Sequence, residues 1–178
     1  MKKIAALLVA LMLMMTALPA MAEFSAADLY QRCVAFAEEA GFSYDGDDER
    51  YYMGIGFAED YAFSPDGCKL WLFAYEDGIS IDVDFEARVP AERYNEMLIL
   101  LGLINATSSE GNLYAHPESY RIGATEYVYA MDRLPSVEVL NRVVITLYNK
   151  LGYYDAMINE VAGGASAWDV YNAYMAEE

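Results

Sequence analysis

The stretch that decides the fold is KLWLFAYEDGISIDVDFEA, residues 69–87. Apolar and polar side chains alternate on both sides of Asp77-Gly78, a dipeptide typical of two-residue β-hairpin turns. Such a turn pairs Glu76 with Ile79, and this register then assigns every side chain to one of two faces. One face is fully apolar and is predicted to form the core. It contains Leu70, Leu72, Ala74, Ile81, Val83 and Phe85.

The opposite face of this hairpin combines aromatic rings with carboxylates. The predicted register places Trp71 beside Asp84 and Phe73 beside Asp82. A preceding strand at about 51–58 adds glycines to this face, which leaves room for the rings to lie flat across the sheet. Large aromatic side chains away from the core are unusual and indicate a covered or binding surface. The candidate binding residues are Tyr52, Trp71, Phe73, Tyr75, Asp82 and Asp84.

Three interpretations of this face remain open at the level of the sequence. A terminal helix at about 166–176 folds back and covers it through Trp168 and Tyr171. Alternatively, a second copy of the chain covers it in a homodimer. In the third interpretation it binds a ligand, and rings flanked by carboxylates suit cationic peptides or sugars.

Outward from the hairpin, the elements are predicted to follow the order α-β-β-β-α-β-β-α plus a C-terminal helix. Ser25 and Asp28 have the spacing of a helix-capping box, and Gly41 ends this first helix. Residues 42–50 are predicted to be a polar loop. Because the strands are grouped, we expect an α+β fold with an antiparallel sheet of about five strands and helices packed on one face.

The second half of the chain resembles the YbjN-like family, whose fold is shared with type III secretion chaperones. The stretch Leu101–Val161 carries the resemblance, through LGLINATSSEGNLYAHPES, YRIGATEYVYAMD and LPSVEVLNRVVITLYNKLGYYDAMINEV. It looks like the family's helix ending in an Asn, two strands, and a long helix after a turn. The resemblance implies an α+β domain that binds other proteins, frequently as a homodimer, and it supplies no catalytic motif.

Residues 1–22 have the three parts of a cleavable secretory signal peptide. Lys2 and Lys3 precede an apolar run, and Ala20-Met21-Ala22 predicts cleavage before Glu23. We therefore expect a secreted or cell-envelope protein with no stable membrane anchor after cleavage. The predicted domain occupies 23–164 and a helical tail occupies 165–178. The best-known relatives of the family are cytoplasmic, so export argues against transferring a secretion-chaperone role.

Composition narrows the classes of partner. The whole chain has a formal net charge of −17, which disfavours binding to nucleic acid and to anionic membranes. This charge suits a protein or peptide partner that is cationic, although solubility alone also explains it.

The two cysteines, Cys33 and Cys68, allow a disulfide in an exported protein. Both are predicted to point toward the core. The alternative is two buried thiols that act as small apolar side chains.

No arrangement of residues in the sequence points to catalysis, a metal or a cofactor. Ser119 follows His116, the single histidine, but no nucleophile motif surrounds this serine. The acidic run at 45–49 fails the calcium-loop template, because Arg50 stands where the turn glycine belongs. The expected protein is therefore a non-enzymatic interaction or chaperone-like domain, and the alternative is a small-ligand or carbohydrate-binding module.

Overall fold

An antiparallel sheet with helices on one side forms the frame of the protein. The computed structural model describes residues 24–58 and 61–176, so the predicted signal peptide and its cleavage site lie outside the described residues. The described elements are α1 (Ala26–Ala40), β1 (Asp45–Asp47), β2 (Tyr52–Phe57), β3 (Cys68–Ala74), β4 (Gly78–Arg88), a 3-10 helix (Ala91–Arg93), α2 (Tyr94–Thr107), β5 (Asn112–Ala115), β6 (Arg121–Tyr129), α3 (Val137–Ala162) and α4 (Ala167–Met175).

The strand order in the sheet is β1-β2-β3-β4-β6-β5, and all neighbours are antiparallel. The predicted α+β class is confirmed, with six strands in place of about five. Within the described ranges, no helix has the length and apolar character that crossing a membrane requires.

The additional strand is β1, which lies inside the predicted polar loop 42–50. Asp47 Oδ1 accepts hydrogen bonds from the backbone N–H groups of Glu49 and Arg50, both at 3.0 Å. These bonds close a tight turn that returns the chain into β2, where Asp47 pairs with Tyr52. Aspartate is depleted in strands, which is why the composition of this segment indicated a loop.

The first helix is capped as predicted. The Asp28 N–H donates to Ser25 Oγ at 3.2 Å, and the Ser25 N–H donates to Asp28 Oδ2 at 2.9 Å. The Ser25 hydroxyl also donates to Asp28 Oδ2 at 2.7 Å, and this bond, followed by the one from the Ser25 N–H, lowers the pKa of the Asp28 carboxyl because both favour its charged form. Gly41 ends the helix in a left-handed conformation with a φ of 72°.

The predicted hairpin register is wrong by two residues, although its assignment of faces is right. Leu72 lies opposite Ile81 and Trp71 opposite Asp82. The turn falls at Glu76-Asp77, because Gly78 is the first residue of β4 and the Tyr75 N–H bonds its carbonyl at 2.9 Å. Gly78 is needed inside the strand, since a β-carbon there would come within 2.5 Å of the Tyr127 ring. A shift of two residues preserves the alternation of side chains, so no residue changes face.

The inward side chains of the sheet and the apolar sides of the helices form one core cluster. The central strand shows the pattern clearly, because Ile79, Ile81, Val83 and Phe85 are all fully buried. Cys33 from α1 and Cys68 from β3 also belong to this cluster, as predicted from their positions. The helices therefore cover one face of the sheet only.

The C-terminal helix α4 does not cover the opposite face. It packs against α2 and α3, where it buries Ala167 and Val170. The Ala167 N–H donates to Glu96 Oε2 at 3.0 Å, which fixes the start of α4 to α2. Trp168 remains 54% exposed. The interpretation in which this helix shields the aromatic sheet face is wrong, because small residues face the core and Trp168 points away from it.

Polar groups buried under the helices attach two loops to α3. Asp155 accepts hydrogen bonds from the backbone N–H groups of Ala62 and Phe63 at 2.6 and 2.9 Å. Lys150 Nζ donates to Ser108 Oγ at 2.8 Å, and it also reaches the backbone carbonyls of residues 110 and 111. Burial lowers the pKa of Lys150. These contacts hold the loop between β2 and β3 and the loop before β5 against the same helix.

Strand β5 lies at one edge of the sheet, and α2 closes that edge. Asn105 Nδ2 donates to the Leu113 carbonyl at 2.7 Å, and the Leu113 N–H donates to Asn105 Oδ1 at 2.9 Å. The side-chain amide thus replaces a neighbouring strand at this residue. Covering an edge in this way protects it from pairing with another chain.

Replacing Asp155 by alanine is expected to lower the free energy of unfolding by roughly 1–3 kcal/mol, because the buried Phe63 N–H loses its acceptor. Urea denaturation followed by circular dichroism measures this loss. Asn149→Ala, at an exposed position of the same helix, is the matched control and should change stability by less than about 0.5 kcal/mol. Equal losses in the two variants would contradict the assigned role of Asp155.

Candidate functional site

The candidate site is the sheet face that no described helix covers, called the outer face below. The core cluster contains residues of all four helices but does not include Tyr52, Trp71 or Phe73. Tyr75 is 49% exposed and Tyr129 is 67% exposed. All six predicted candidate residues lie on this face: strand pairing places five of them opposite the buried residues, and Tyr75 stacks there on Tyr127. The outer face is thus a surface of aromatic and acidic side chains.

Two groups of rings lie on the outer face. In the first group, Tyr52, Trp71 and Phe73 contact one another with ring centroids 6.0–6.3 Å apart. Trp71 lies so close to Gly54 that a β-carbon there would come within 2.8 Å of the ring. The prediction that a glycine makes room for the tryptophan is confirmed at Gly54, whereas Gly56 faces Lys69 and has open space above it.

The second group extends the aromatic surface onto β6. Tyr75 stacks on Tyr127 at 6.2 Å, and Tyr127 contacts Tyr129 at 4.7 Å. The Tyr127 hydroxyl donates to Asp77 Oδ1 at 2.5 Å. Burial and this carboxylate raise the pKa of Tyr127. Sequence reasoning missed Tyr127 and Tyr129, because no short turn joins β4 to β6 and their pairing could not be derived.

Two carboxylates lie beside the first group of rings. Asp82 Oδ1 accepts hydrogen bonds from the hydroxyls of Thr125 and of Ser80, the latter at 3.2 Å. Asp84 Oδ1 accepts one from the Tyr114 hydroxyl at 2.5 Å. Burial is the main cause that raises the pKa of both carboxyl groups, and the neighbouring Asp82 adds to this effect at Asp84.

Gly123 on β6 makes the bond between Tyr114 and Asp84 possible. These two residues lie on strands either side of β6, so their side chains meet above it. A β-carbon on Gly123 would come within 2.1 Å of Asp84 Oδ1 and within 2.8 Å of the Tyr114 ring. The Asp84 carboxylate can occupy this position only because residue 123 is a glycine, which has no side chain.

The outer face also carries two cations of its own. Arg121 pairs with Glu86 at 2.5 Å. Lys69 Nζ lies 4.0 Å from the centroid of the Trp71 ring, within the range of a cation–π interaction. Together with the carboxylates and rings, Arg121 lines an open concavity of about 580 Å³ on this face.

His116 and Ser119 lie at the rim of this concavity, but they do not form a nucleophile–base pair. His116 Nδ1 accepts hydrogen bonds from the backbone N–H groups of Glu118 and Ser119 at 3.3 and 3.2 Å. Ser119 Oγ accepts a bond from the Arg121 N–H. The imidazole and the hydroxyl thus both stabilise the turn between β5 and β6.

The cysteines lie away from the outer face. Cys33 is fully buried and Cys68 is 1% exposed. Burial raises the pKa of Cys33 to about 12. No disulfide joins the two in the part of the chain that the structure describes, and the bridge stays a prediction from sequence.

The acidic segment at 45–49 offers no assembled cation site. Asp47 uses one carboxylate oxygen for its turn, and its other oxygen lies 3.7 Å from Arg50. Across residues 24–58 and 61–176, no group of three potential metal-binding side chains is found.

The chain matches no protein-family model, and no curated protein matches it in sequence. It is similar to one chain of the heterodimeric ExoU–SpcU complex from the type III secretion system of Pseudomonas aeruginosa. The two chains are 18% identical, and the match covers 71% of this chain and 94% of that chain with a TM-score of 0.44. A likeness of this size concerns the overall fold at most and carries no functional conclusion.

Gly123→Ala is expected to destabilise the protein by about 1–3 kcal/mol, because the new methyl group displaces Asp84 and Tyr114. Gly56→Ala is the matched control on the same face, where nothing lies within 4 Å of the added carbon. Urea denaturation of both variants measures the difference. A Gly123 variant as stable as the Gly56 variant would contradict the close packing of Asp84 and Tyr114 over Gly123.

The raised pKa of Asp84 predicts how stability depends on pH. The folded state binds this proton more tightly than the unfolded state, whose ordinary pKa is 3.8. The contribution of this carboxyl is therefore fully present below that value and is lost as pH rises through the folded-state pKa. Asp84→Asn keeps the acceptor oxygen but removes the titration.

Unfolding free energies measured between pH 3 and 7 test this expectation. The Asp84→Asn variant should gain stability relative to the parent protein as pH rises, and the gain should then level off. For Asn149→Ala, which changes no ionisable group, the difference from the parent should not vary with pH. A flat or falling difference for Asp84→Asn would exclude the raised pKa.

Proposed function

We propose that this protein is an exported, non-enzymatic interaction domain that binds a partner protein or peptide through its outer face. The observation that carries the proposal is the aromatic surface on the side of the sheet opposite the helices. Tyr75 and Tyr129 expose about half and two thirds of their area there. Exposed tyrosine and tryptophan beside polar groups are typical of protein interfaces, since they supply large contact areas at low entropic cost.

The shape of the surface favours a macromolecular partner over a small ligand. Small-molecule sites are enclosed clefts that bury most of the ligand. The concavity beside Trp71 and Asp82 is open, and Ser80 in its lining is paired with Tyr127 of the second group of rings. A carbohydrate-binding module is the alternative, but sugar binding needs an accessible aromatic ring face. Lys69 lies over the Trp71 ring, and a neutral sugar would displace this cation–π contact without replacing it, which makes this alternative weaker.

The absence of an enzymatic role is part of the proposal. It is supported by the hydrogen bonds of His116 and Ser119. His116 Nδ1 and Ser119 Oγ each accept bonds from backbone N–H groups of the turn and do not bond to each other. Export rests on the signal-peptide pattern of residues 1–22. A chaperone-like activity rests on the YbjN-like pattern in Leu101–Val161 and is proposed in the general sense of binding another protein.

Position-specific photo-crosslinking tests the proposal. Benzoylphenylalanine replaces Tyr75 or Tyr129 on the outer face, and Tyr153 on α3 serves as the control. Tyr153 is 62% exposed, so it matches Tyr129 in accessibility but lies on a helix. In the exported fraction, we expect a crosslinked product of defined mass from both outer-face positions and not from the Tyr153 position.

Two results count against the proposal. One is equal crosslinking from the outer face and from α3, which indicates nonspecific contact. The other is no product from either outer-face position while the protein is folded and exported. A product of twice the chain mass identifies a second copy as the partner, which is the homodimer that the family resemblance implies.

A further inference from the structure

The carboxylates of the outer face have unused hydrogen-bonding capacity. The hydroxyl bonds to Asp82 and Asp84 all go to Oδ1. The second oxygen of each carboxylate takes part in no hydrogen bond or ion pair with the described residues. The two aspartates are two residues apart on β4 and point to the same side, so their side chains are about 7 Å apart along the strand.

The chain itself shows that this surface accommodates a cation. Lys69 is opposite Asp84 across the β3–β4 pair, yet its Nζ lies over the Trp71 ring. It forms a cation–π contact in place of an ion pair with that carboxylate. Trp71 is in turn opposite Asp82. A ring that attracts cations and two carboxylates with unused oxygens therefore lie side by side.

Charge determines which kind of partner this arrangement favours. The chain carries 28 acidic and 11 basic residues, so a second copy would approach with strong mutual repulsion at ordinary ionic strength. Arg121 pairs with Glu86 and only weakly favours the charged form of Asp84, and Lys69 forms an ion pair with neither aspartate among the described residues. A cationic partner relieves the remaining repulsion, whereas a second copy increases it.

We infer that the outer face binds an arginine side chain of an extended, cationic partner segment, held between Trp71 and the Asp82–Asp84 pair. This inference rests on the proposed function and names its partner chemistry. A guanidinium group is planar and stacks on an indole while its N–H fork donates to carboxylates, which an ammonium group does less well. Lys69 occupies the cation position until the arginine displaces it.

The test uses the peptide acetyl-Gly-Arg-Gly-Arg-Gly-amide and the purified, ¹⁵N-labelled protein. Trp71 and Trp168 are the two tryptophans of the chain, and their indole N–H signals are distinguished by a Trp168→Phe variant. The peptide should shift the Trp71 signal in a saturable manner and leave the signal of Trp168, which lies on α4, unchanged. The same peptide with citrulline, a neutral isostere of arginine, should leave both signals unchanged.

Variants locate the contact. Asp82→Asn and Asp84→Asn keep the acceptors for Thr125, Ser80 and Tyr114 but remove the charge, and each should weaken binding about fivefold. Glu138→Gln, on the exposed side of α3, is the matched control and should have no effect. Lys69→Gln removes the competing cation and should strengthen binding about threefold, the size of an exposed cation–π contact.

Several results would overturn the inference. The first is an equal shift of the Trp71 indole signal by the citrulline peptide. The second is weaker binding of the arginine peptide to the Lys69→Gln variant, and the third is the absence of any shift of the Trp71 signal. Light scattering that shows a stable dimer with Trp71 protected would also overturn it, because a second copy then occupies the face. If the arginine peptide does not bind but crosslinking from Tyr75 and Tyr129 remains specific, only the inference of an arginine site is contradicted and the proposed function stands.

Discussion

Strand β4 crosses the middle of the sheet, and four of the side chains that it directs toward the helices are fully buried: Ile79, Ile81, Val83 and Phe85. Strict alternation then sends Ser80, Asp82, Asp84 and Glu86 to the other side, whatever those residues contribute to stability. The four helices pack on the apolar side and on one another, and the connections hold them there through Asp155, Lys150 and Glu96. Because only one side of β4 is buried, the sheet keeps a second face without helices. The candidate site lies on this face.

On that second face, the outer face, side chains of neighbouring strands pack closely against one another. Glycines lie beneath Trp71, beneath Tyr127 and beneath the bond from Tyr114 to Asp84, so large side chains lie across neighbouring strands instead of standing above them. This arrangement partly buries two carboxylates, and neither forms an ion pair with the residues that the structure describes. A surface made in this way presents rings and negative charge together. It therefore differs from a simple solvated sheet face, on which exposed strand residues are small, polar and fully hydrated.

Alternation within one hairpin was sufficient to predict the outer-face residues of β2, β3 and β4. The prediction tolerated a register error of two residues, because Gly78 serves the close approach of Tyr127 instead of the turn. Two parts of the structure were not accessible in this way. The short strand at Asp45–Asp47 forms through a side-chain turn in a segment whose composition indicates a loop. The contributions of Tyr114, Thr125 and Tyr127 depend on the pairing of β6 with both β4 and β5, which brings together residues 30 to 50 positions apart and is not encoded in local patterns. The exposure of Trp168 also could not be predicted, because it depends on which side of α4 packs against the other helices. Ala167 and Val170 are on the packed side, and Trp168 is not.

The central claim is that the outer face is open to solvent in the isolated protein. Paramagnetic relaxation of side-chain signals by a soluble, uncharged gadolinium chelate measures this directly. The account predicts strong relaxation of Tyr75 and Tyr129, comparable with that of exposed Tyr153 on α3, and weak relaxation of buried Phe36 and Phe85. Relaxation of Tyr75 and Tyr129 as weak as that of Phe85 would contradict the account, because the aromatic face would then be covered in the protein itself.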